Sequence, residues 1–408
     1  MAACAFDGAA NFSGRHGGVQ ALLREKCNPV LSYTHGRGHL LQLAQVRTAK
    51  SSKDIKKAIN LMSSLYSFFS KSPKRLNILE NIEDTLGLKF KLVQPGKTRW
   101  LSHERSLAVV LKVLQPLLLA LESIYQRGMD LSSEAGGLLL ILHSEKTIAI
   151  LSLLSLLLKP LGSLNNAIQA SATTVVDLCP AREATFGSIR ELSIEKVLEE
   201  AKTSVQKLTN EGICTESLSE EDKKCLLRQL KKYTALILKN LQQRLLDSTH
   251  HLRSFYRSLS YKTLTAEWSE ARPAMGLPCA QDKIENSNTE WNIIRRMNED
   301  LTSTSFLSSL VARPNLCALF PGMKEVGIHL LLLPVTTATA ERSFSSLTRI
   351  LCSERSRLLP DPVNELVSVS IEEMEVPDPW EATKDERMAF KKFINRVVQN
   401  YNKKPRRM

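Results

Sequence analysis

Few side chains in this sequence have the types and spacing that chemistry requires. His35 and His39 stand four positions apart, which places both imidazoles on one face of a helix and suits a metal ion. No Cys, Asp or Glu nearby supplies a third ligand, so a pair of packed histidines is the preferred interpretation and no metal site is expected. The sequence also lacks G-x-S-x-G, G-x-x-x-x-G-K-[ST], H-E-x-x-H and G-x-G-x-x-G. We therefore expect neither a cofactor nor a small-molecule substrate.

The overall composition is that of a folded, basic protein. The chain has 408 residues, of which 43% are hydrophobic and 24% are charged, so it can bury a large core in one big domain or two. Lysine and arginine number 55 against 42 for aspartate and glutamate, a net charge of +13. This excess favours polyanionic partners such as nucleic acids. A basic surface that serves only solubility remains the alternative.

Cysteine usage indicates a reducing compartment. The eight cysteines are scattered without a single C-x-x-C pair. Such spacing argues against a disulfide framework or a zinc ribbon and predicts reduced thiols in a nuclear or cytosolic protein. Residues 1–12 have no basic segment ahead of an apolar run, so no secretory signal is expected.

The most apolar stretch, 138–158, is interrupted by His143, Glu145 and Lys146. Its second part, 148–158, is far shorter than the ~20 apolar residues of a membrane-spanning helix. We therefore predict a buried core helix here and no membrane partner.

Periodicity divides the first half of the chain into strands and helices. Short apolar runs at 2–6 and 30–33, with a short helix between them, predict a strand, a helix and a second strand. Apolar residues then recur at three- and four-residue spacing over 55–69, 107–125 and 222–246, which predicts long helices with one buried face.

Prolines and lysines modify these helices. Pro73 should close the first of them, and Pro116 should kink the second. Lysines and arginines are interleaved with the apolar residues of the third, and a solvated helix face is the preferred interpretation of that pattern.

The second half of the chain is less regular. The segment 259–292 has few periodic apolar positions, so we predict a long surface connection. Helices are predicted around 291–301 and 323–333, and a final helix over 380–401. The basic tail 403–407 after it is either a frayed end or a patch for nuclear import or phosphate contact.

Three segments carry a resemblance to a known family. Residues 6–14 read FDGAANFSG, residues 97–102 read KTRWLS, and residues 333–345 read LPVTTATAERSFS. In this order they resemble motifs of the hAT superfamily of DNA transposases and their domesticated descendants. The third segment is the most specific of the three, since the first two are short.

The resemblance implies a mostly α fold with a truncated α/β RNase H-like core, interrupted by a large all-helical insertion. The expected divisions are 1–100 for the first part of the core, 101–313 for the insertion, 314–376 for a hAT C-terminal dimerisation region that completes the core, and 377–408 for a basic helix and tail.

The same resemblance assigns catalytic positions. Strand transfer by this fold uses two divalent ions ~3.5 to 4 Å apart, held by three carboxylates. Asp7 matches the second carboxylate and Glu341 the third, and both should face the mouth of one core. The first would lie upstream of Asp7, so we expect these two residues to be vestigial and the chain to have no enzyme activity. The alternative is a remnant of an active, metal-dependent transposase that needs a missing N-terminal part, and a truncated fragment without function is a third hypothesis.

Another departure from the family lies at 33–39, which resembles its C-x-x-H segment. Gly36 stands where the cysteine belongs, and His39 stands where the histidine belongs. A family zinc finger for DNA reading is also not seen, so sequence-specific recognition is not expected.

Nucleic-acid contact is expected at three residues, Arg99, Trp100 and Arg342. In the family the Trp with its neighbouring Arg supports a DNA end, which suits an indole face stacking on a base and a guanidinium on phosphate. The alternative for Trp100 is a core anchor at the boundary of the insertion.

Self-association is the remaining expectation, and with it a nuclear homo-oligomer. The C-terminal region has more apolar surface than a short helix pair hides, and its dimerisation candidates are Phe344, Leu347, Ile350, Leu366 and Val367. The edge of the strand at 2–6 should add unpaired backbone groups. The alternative is that these side chains pack the insertion against the core.

Overall fold

The computed structural model describes residues 3–29, 31–96, 103–170, 174–213, 215–246, 304–334 and 336–351, with 289, 290, 293, 294, 363, 366, 367 and 388. Numbered along the chain, its strands and helices are β1 (Ala3–Phe6), α1 (Ala10–Ser13), α2 (Val19–Lys26), β2 (Ser32–His35), α3 (Arg37–Lys50), α4 (Lys53–Ser70), α5 (Pro73–Thr85), α6 (His103–Lys112), α7 (Leu114–Gln126), α8 (Ser132–Leu142), α9 (Glu145–Gln169), α10 (Val175–Arg190), α11 (Ile194–Asn210), α12 (Glu220–Leu246), α13 (Thr304–Ala312), α14 (Pro314–Leu319), α15 (Pro321–Leu332) and α16 (Ala338–Ile350). The predicted mostly α class is thereby confirmed, whereas the RNase H-like core and its insertion stay predictions.

The chain opens with a strand, two short helices and a parallel strand. Strands β1 and β2 pair in register from Ala3 opposite Ser32 to Phe6 opposite His35. The predicted strand, helix and strand are confirmed, but the second strand starts two residues later than predicted. A turn delays it, because the backbone N–H of Leu31 donates to the carbonyl of Asn28 at 3.0 Å.

A serine cap and a proline mark the boundary between α4 and α5. Helix α4 ends at Ser70, and Pro73 then takes the first position of α5. The Ser72 hydroxyl accepts a hydrogen bond from the backbone N–H of Arg75 at 3.4 Å, which is an N-cap contact. The prediction that Pro73 separates two segments is confirmed.

The predicted kink at Pro116 was placed wrongly. The chain bends by 77° between α6 and α7, and the break lies at Val113. Pro116 is only the third residue of α7, where a missing backbone N–H removes no bond within the helix. The proline is therefore accommodated just after the bend.

Helix α9 is the centre of the helical core. It spans 25 residues, and among the described single helices only this one is long and apolar enough to cross a membrane. However, 61% of its most apolar window is buried inside the fold. Helices α4, α6, α10 and α11 pack around it. The predicted buried core helix is confirmed, although it covers Glu145–Gln169 and not only 148–158.

Helix α12 packs against α3, and one buried hydrogen bond joins them. The side-chain amide of Asn240 donates to the Thr48 hydroxyl at 2.9 Å, and that hydroxyl donates to the Ala44 carbonyl at 2.7 Å. On the opposite face of α12, Lys224 and Arg228 are exposed. The exposure of these two side chains agrees with the interpretation that the basic residues of α12 form a solvated helix face.

Contacts within the chain divide it into two compact units, Met1–Ala338 and Thr339–Met408. The predicted divisions at 100, 313 and 376 therefore stay predictions. The basic tail 403–407 lies outside the described residues, as does the final helix except for Met388, which is helical and exposed.

Candidate functional site

Asp7 follows β1 directly, at the edge where both parallel strands end. This is the side of a parallel sheet at which ligands bind in α/β folds. The carboxylate is exposed, and its Oδ1 accepts a hydrogen bond from the backbone N–H of Ala9 at 3.1 Å. The Tyr33 hydroxyl donates to the Asp7 carbonyl at 3.2 Å and fixes the backbone at this corner.

His35, the last residue of β2, lies against Gly8. A Cβ added at Gly8 would collide with the His35 ring, so a larger residue at this position would have to push that ring aside. The His35 ring stacks on His39 with centroids 5.6 Å apart. The two histidines that are four positions apart in the sequence therefore stack their rings on each other near the strand ends.

The surroundings of His35 favour its neutral form. Burial lowers the pKa of His35, and the neighbouring His39 acts in the same direction, while Asp7 opposes them. Its Nε2 is buried and has no hydrogen-bond partner within the described part of the chain. In that part, no group of three His, Cys, Asp or Glu side chains is arranged to hold a metal ion.

Gly36 connects this corner to the third motif segment. Its backbone N–H donates to the carbonyl of Phe6 at 2.9 Å, and a Cβ at Gly36 would lie 3.0 Å from Oγ1 of Thr337. The structure therefore brings together the first motif segment, the end of β2 and the start of the 333–345 segment. Any larger residue at position 36 would press on Thr337. This close neighbour gives a physical reason for the glycine at a position where the family has a cysteine.

The two matched carboxylates lie in different units, Asp7 in the first and Glu341 in the second. Glu341 is exposed in the first turn of α16, which begins one residue after Thr337. The approach of Asp7 and Glu341 stays a prediction.

Two of the predicted nucleic-acid contacts, Arg99 and Trp100, lie outside the described residues. Arg342 lies in α16, and its side chain is likewise outside the description. The predicted roles of these three residues therefore stay predictions.

The dimerisation candidates include strongly exposed apolar side chains. Phe344 is 67% exposed on α16 and Leu351 just after it is 43% exposed, while Leu347 between them is half-buried. Spacings of three and four residues put these side chains on one helix face. We call Phe344, Leu347 and Leu351 the α16 apolar stripe. Ile350 is also half-buried. Farther along the chain, Leu366 and Val367 are both helical, and Leu366 is exposed while Val367 is half-buried.

One structural residue of this region was missed by sequence analysis. Glu290 lies at the end of the predicted surface connection 259–292, yet it is helical and buried. Its carboxylate accepts hydrogen bonds from the backbone N–H groups of Gly322 at 3.2 Å and Met323 at 2.7 Å. It therefore caps the N-terminus of α15, where free N–H groups and the helix dipole favour an anion.

These features define a mostly helical protein with a parallel strand pair at its start and an exposed apolar helix face near its C-terminus. Residues 289–371 match the family model described as the hAT family C-terminal dimerisation region. The match includes Glu290, the 333–345 segment and α16, and it begins before the predicted start at 314. No curated protein matches the chain. The resemblance to hAT proteins is thus confirmed for this C-terminal region.

Proposed function

We propose that the chain is a non-catalytic, hAT transposase-derived nuclear protein that forms homodimers and associates with nucleic acid. The observation that carries the proposal is the match of 289–371 to a dimerisation region, within which the α16 apolar stripe lies exposed. Apolar side chains grouped on a surface mark interaction sites. Sedimentation of the chain and of a Phe344→Asp variant tests the proposal.

Nucleic-acid association is supported by the placement of basic side chains. Arg47 and Lys50 on α3 and Lys53, Lys56 and Lys57 on α4 are all exposed around one helix corner. The single acidic residue in 47–57 is Asp54, whose carboxylate pairs with Lys146 at 2.7 Å and leaves the five cations uncompensated within that segment. We call these five residues the α3–α4 basic corner. Such a group of cations suits a phosphate backbone.

Replacing Lys53, Lys56 and Lys57 together by Gln should weaken binding to a short DNA duplex. Each lost phosphate contact lowers the slope of log affinity against log salt by about 1, so the slope should fall by about 2–3. Fluorescence anisotropy over a salt series measures it. The control replaces Lys224, Arg228 and Lys232, which are exposed on α12, by Gln. Equal losses in both triple variants would remove the α3–α4 basic corner from the proposal.

The absence of catalysis is a separate part of the proposal. Of the family's three carboxylates, the motif segments of this sequence match two, Asp7 and Glu341. Asp7 already caps a backbone N–H with one oxygen. Two carboxylates alone hold Mg²⁺ weakly, because the ion gives up its water only to several hard oxygens.

We therefore expect no cleavage or joining of DNA by the purified chain in millimolar Mg²⁺ or Mn²⁺. Plasmid nicking and oligonucleotide strand transfer measure this. Metal-dependent cleavage that is lost in Asp7→Asn and in Glu341→Gln, but kept in Glu134→Gln on α8, would instead establish the alternative, a remnant of an active transposase.

A further inference from the structure

The outward face of α4 carries a line of polar residues without an acidic member. Ile55, Met62 and Phe69 are buried on the inner face of this helix. A rotation of about 100° per residue places a second set of side chains on the opposite face, within about 40° of one line. We call this set the α4 polar stripe, and its members are Lys53, Lys57, Asn60, Ser64, Ser67 and Lys71. All six are exposed or half-buried, so the stripe is open to solvent.

The stripe is positively charged at both ends and neutral between them. Lys53 and Lys57 lie at the start of α4, and Lys71 directly follows the helix with its backbone still in the right-handed helical conformation. Within the described part of the chain, none of these three ammonium groups makes an ion pair. Asp54, the one acidic residue of α4, points about 100° away from Lys53 and pairs with Lys146 at 2.7 Å. The charges of the stripe are therefore available to an anionic partner.

The spacing of these charges distinguishes between ways of contacting a nucleic acid. With a rise of about 1.5 Å per residue, Lys57 and Lys71 lie about 21 Å apart along the helix axis, and the stripe between them has no charged residue. One strand of a duplex carries a phosphate for every ~3.4 Å of its axis. A helix that followed one backbone would therefore meet phosphates along its whole length. A helix that crosses a groove meets phosphates only near its two ends, which is the charge pattern of the stripe.

The major groove of B-form DNA suits this spacing better than other grooves. It is about 12 Å wide, against about 6 Å for the minor groove. The flexible stems of the lysines at both ends can reach inward to the phosphates. Asn60, Ser64 and Ser67 have short side chains that let the helix come close, and serine and asparagine are residue types that hydrogen-bond to DNA. Duplex RNA has a deep, narrow major groove that does not offer this approach.

We propose that the α4 polar stripe lies across the major groove of duplex DNA, with Lys53 and Lys57 on the phosphates of one strand and Lys71 on those of the other. This inference rests on the nucleic-acid association proposed above, and it specifies the partner and its orientation. Lys53 and Lys57 also belong to the α3–α4 basic corner, so that corner holds one strand and the far end of the stripe adds the second. Because phosphate contacts carry no sequence information, binding should depend little on base sequence.

The shape of the nucleic acid is tested with the complete chain. Fluorescence anisotropy at one salt concentration compares a short DNA duplex, one of its single strands and an RNA duplex of the same sequence. We expect the DNA duplex to bind at least about 10-fold more tightly than either of the others, because these meet only one end of the stripe and lose a charge-assisted contact. Equal affinity for the single strand or for the RNA duplex would overturn the proposed orientation.

Two variants test the stripe itself. Lys71→Gln should lower the slope of log affinity against log salt by about 1, because one phosphate contact is lost. Ser64→Glu places a carboxylate between the two phosphate backbones, and the repulsion should lower the affinity for the DNA duplex at least about 10-fold. Ser204→Glu is the control, since it makes the same change in net charge at an exposed serine of α11 and should have little effect.

The outcomes separate this inference from the function on which it rests. A chain that binds no DNA would remove the nucleic-acid association and this inference with it. An equal loss of affinity in Ser64→Glu and Ser204→Glu, or an unchanged salt slope in Lys71→Gln, would overturn the role of the stripe alone. Lys71 is exposed and lies after the helix, so Lys71→Gln decides the matter if Ser64→Glu fails to fold.

Discussion

Replacing Phe344 by Asp is expected to convert a dimer into a monomer of 45.7 kDa in sedimentation equilibrium. Phe344 is 67% exposed, which makes it the most exposed member of the α16 apolar stripe. An aromatic side chain at the centre of an interface contributes about 2 kcal/mol or more to binding. An aspartate there loses this contact and also buries a charge, so the dimer dissociation constant should rise more than about 30-fold.

The control places the same charge elsewhere on the same helix. Ser345 is exposed on α16, and the helical rotation of about 100° per residue turns it away from the stripe. Ser345→Asp should therefore leave the dimer intact, while Leu366→Asp should weaken it. An unsubstituted chain that stays monomeric and folded over a hundredfold range of micromolar concentration would remove the dimerisation claim.

Replacing Glu290 by Ala should have the largest effect on stability among the variants considered. Its carboxylate is the acceptor for two buried backbone N–H groups, those of Gly322 and Met323. Each buried donor left without a partner costs about 1–3 kcal/mol, so the free energy of unfolding should fall by about 2–4 kcal/mol. Urea unfolding followed by circular dichroism measures the change.

Hydrogen exchange locates the effect. The amides of Gly322 and Met323 should lose protection in Glu290→Ala, and Glu290→Gln should fall between because an amide oxygen still accepts one bond. Glu134→Ala serves as the control, since this glutamate is exposed in the first turn of α8. An equal fall in stability in Glu134→Ala, or unchanged exchange at Met323 in Glu290→Ala, would contradict the assigned cap.

Sequence alone predicted those helices whose buried face repeats locally. In α4, the residues Ile55, Leu65 and Phe69 were predicted to share one face, and all three are buried. The spacing of side chains along a helix follows from its geometry, so neighbours in sequence suffice to reveal it. The serine and proline that start α5 are equally local.

Features that depend on distant partners were not predictable in this way. The cap at Glu290 requires N–H groups 32 and 33 positions later, and nothing near Glu290 in the sequence indicates them. The bend at Val113 likewise shows no local breaker, whereas Pro116 attracts the prediction because of its residue type.

The candidate site shows the same division. The motif around Asp7 predicted a carboxylate directly after the first strand. The structure places Asp7 at the carboxyl end of β1. The neighbourhood of Gly36 was not foreseen, because the closeness of Thr337 arises from residues 301 positions apart. Motif matching supplied the candidate residues, while the contacts around them came only from the fold.

The buried hydrogen bond between Thr48 and Asn240 has a consequence for how the protein is made. Translation proceeds at about 5–20 residues per second, so the 192 positions between these two residues take roughly 10–40 s to emerge from the ribosome. During that interval the side of α3 that packs against α12 lacks its partner, so the apolar surface on that side stays exposed on the nascent chain. A chaperone that shields apolar segments during synthesis should therefore engage this protein early and release it only after α12 has been made.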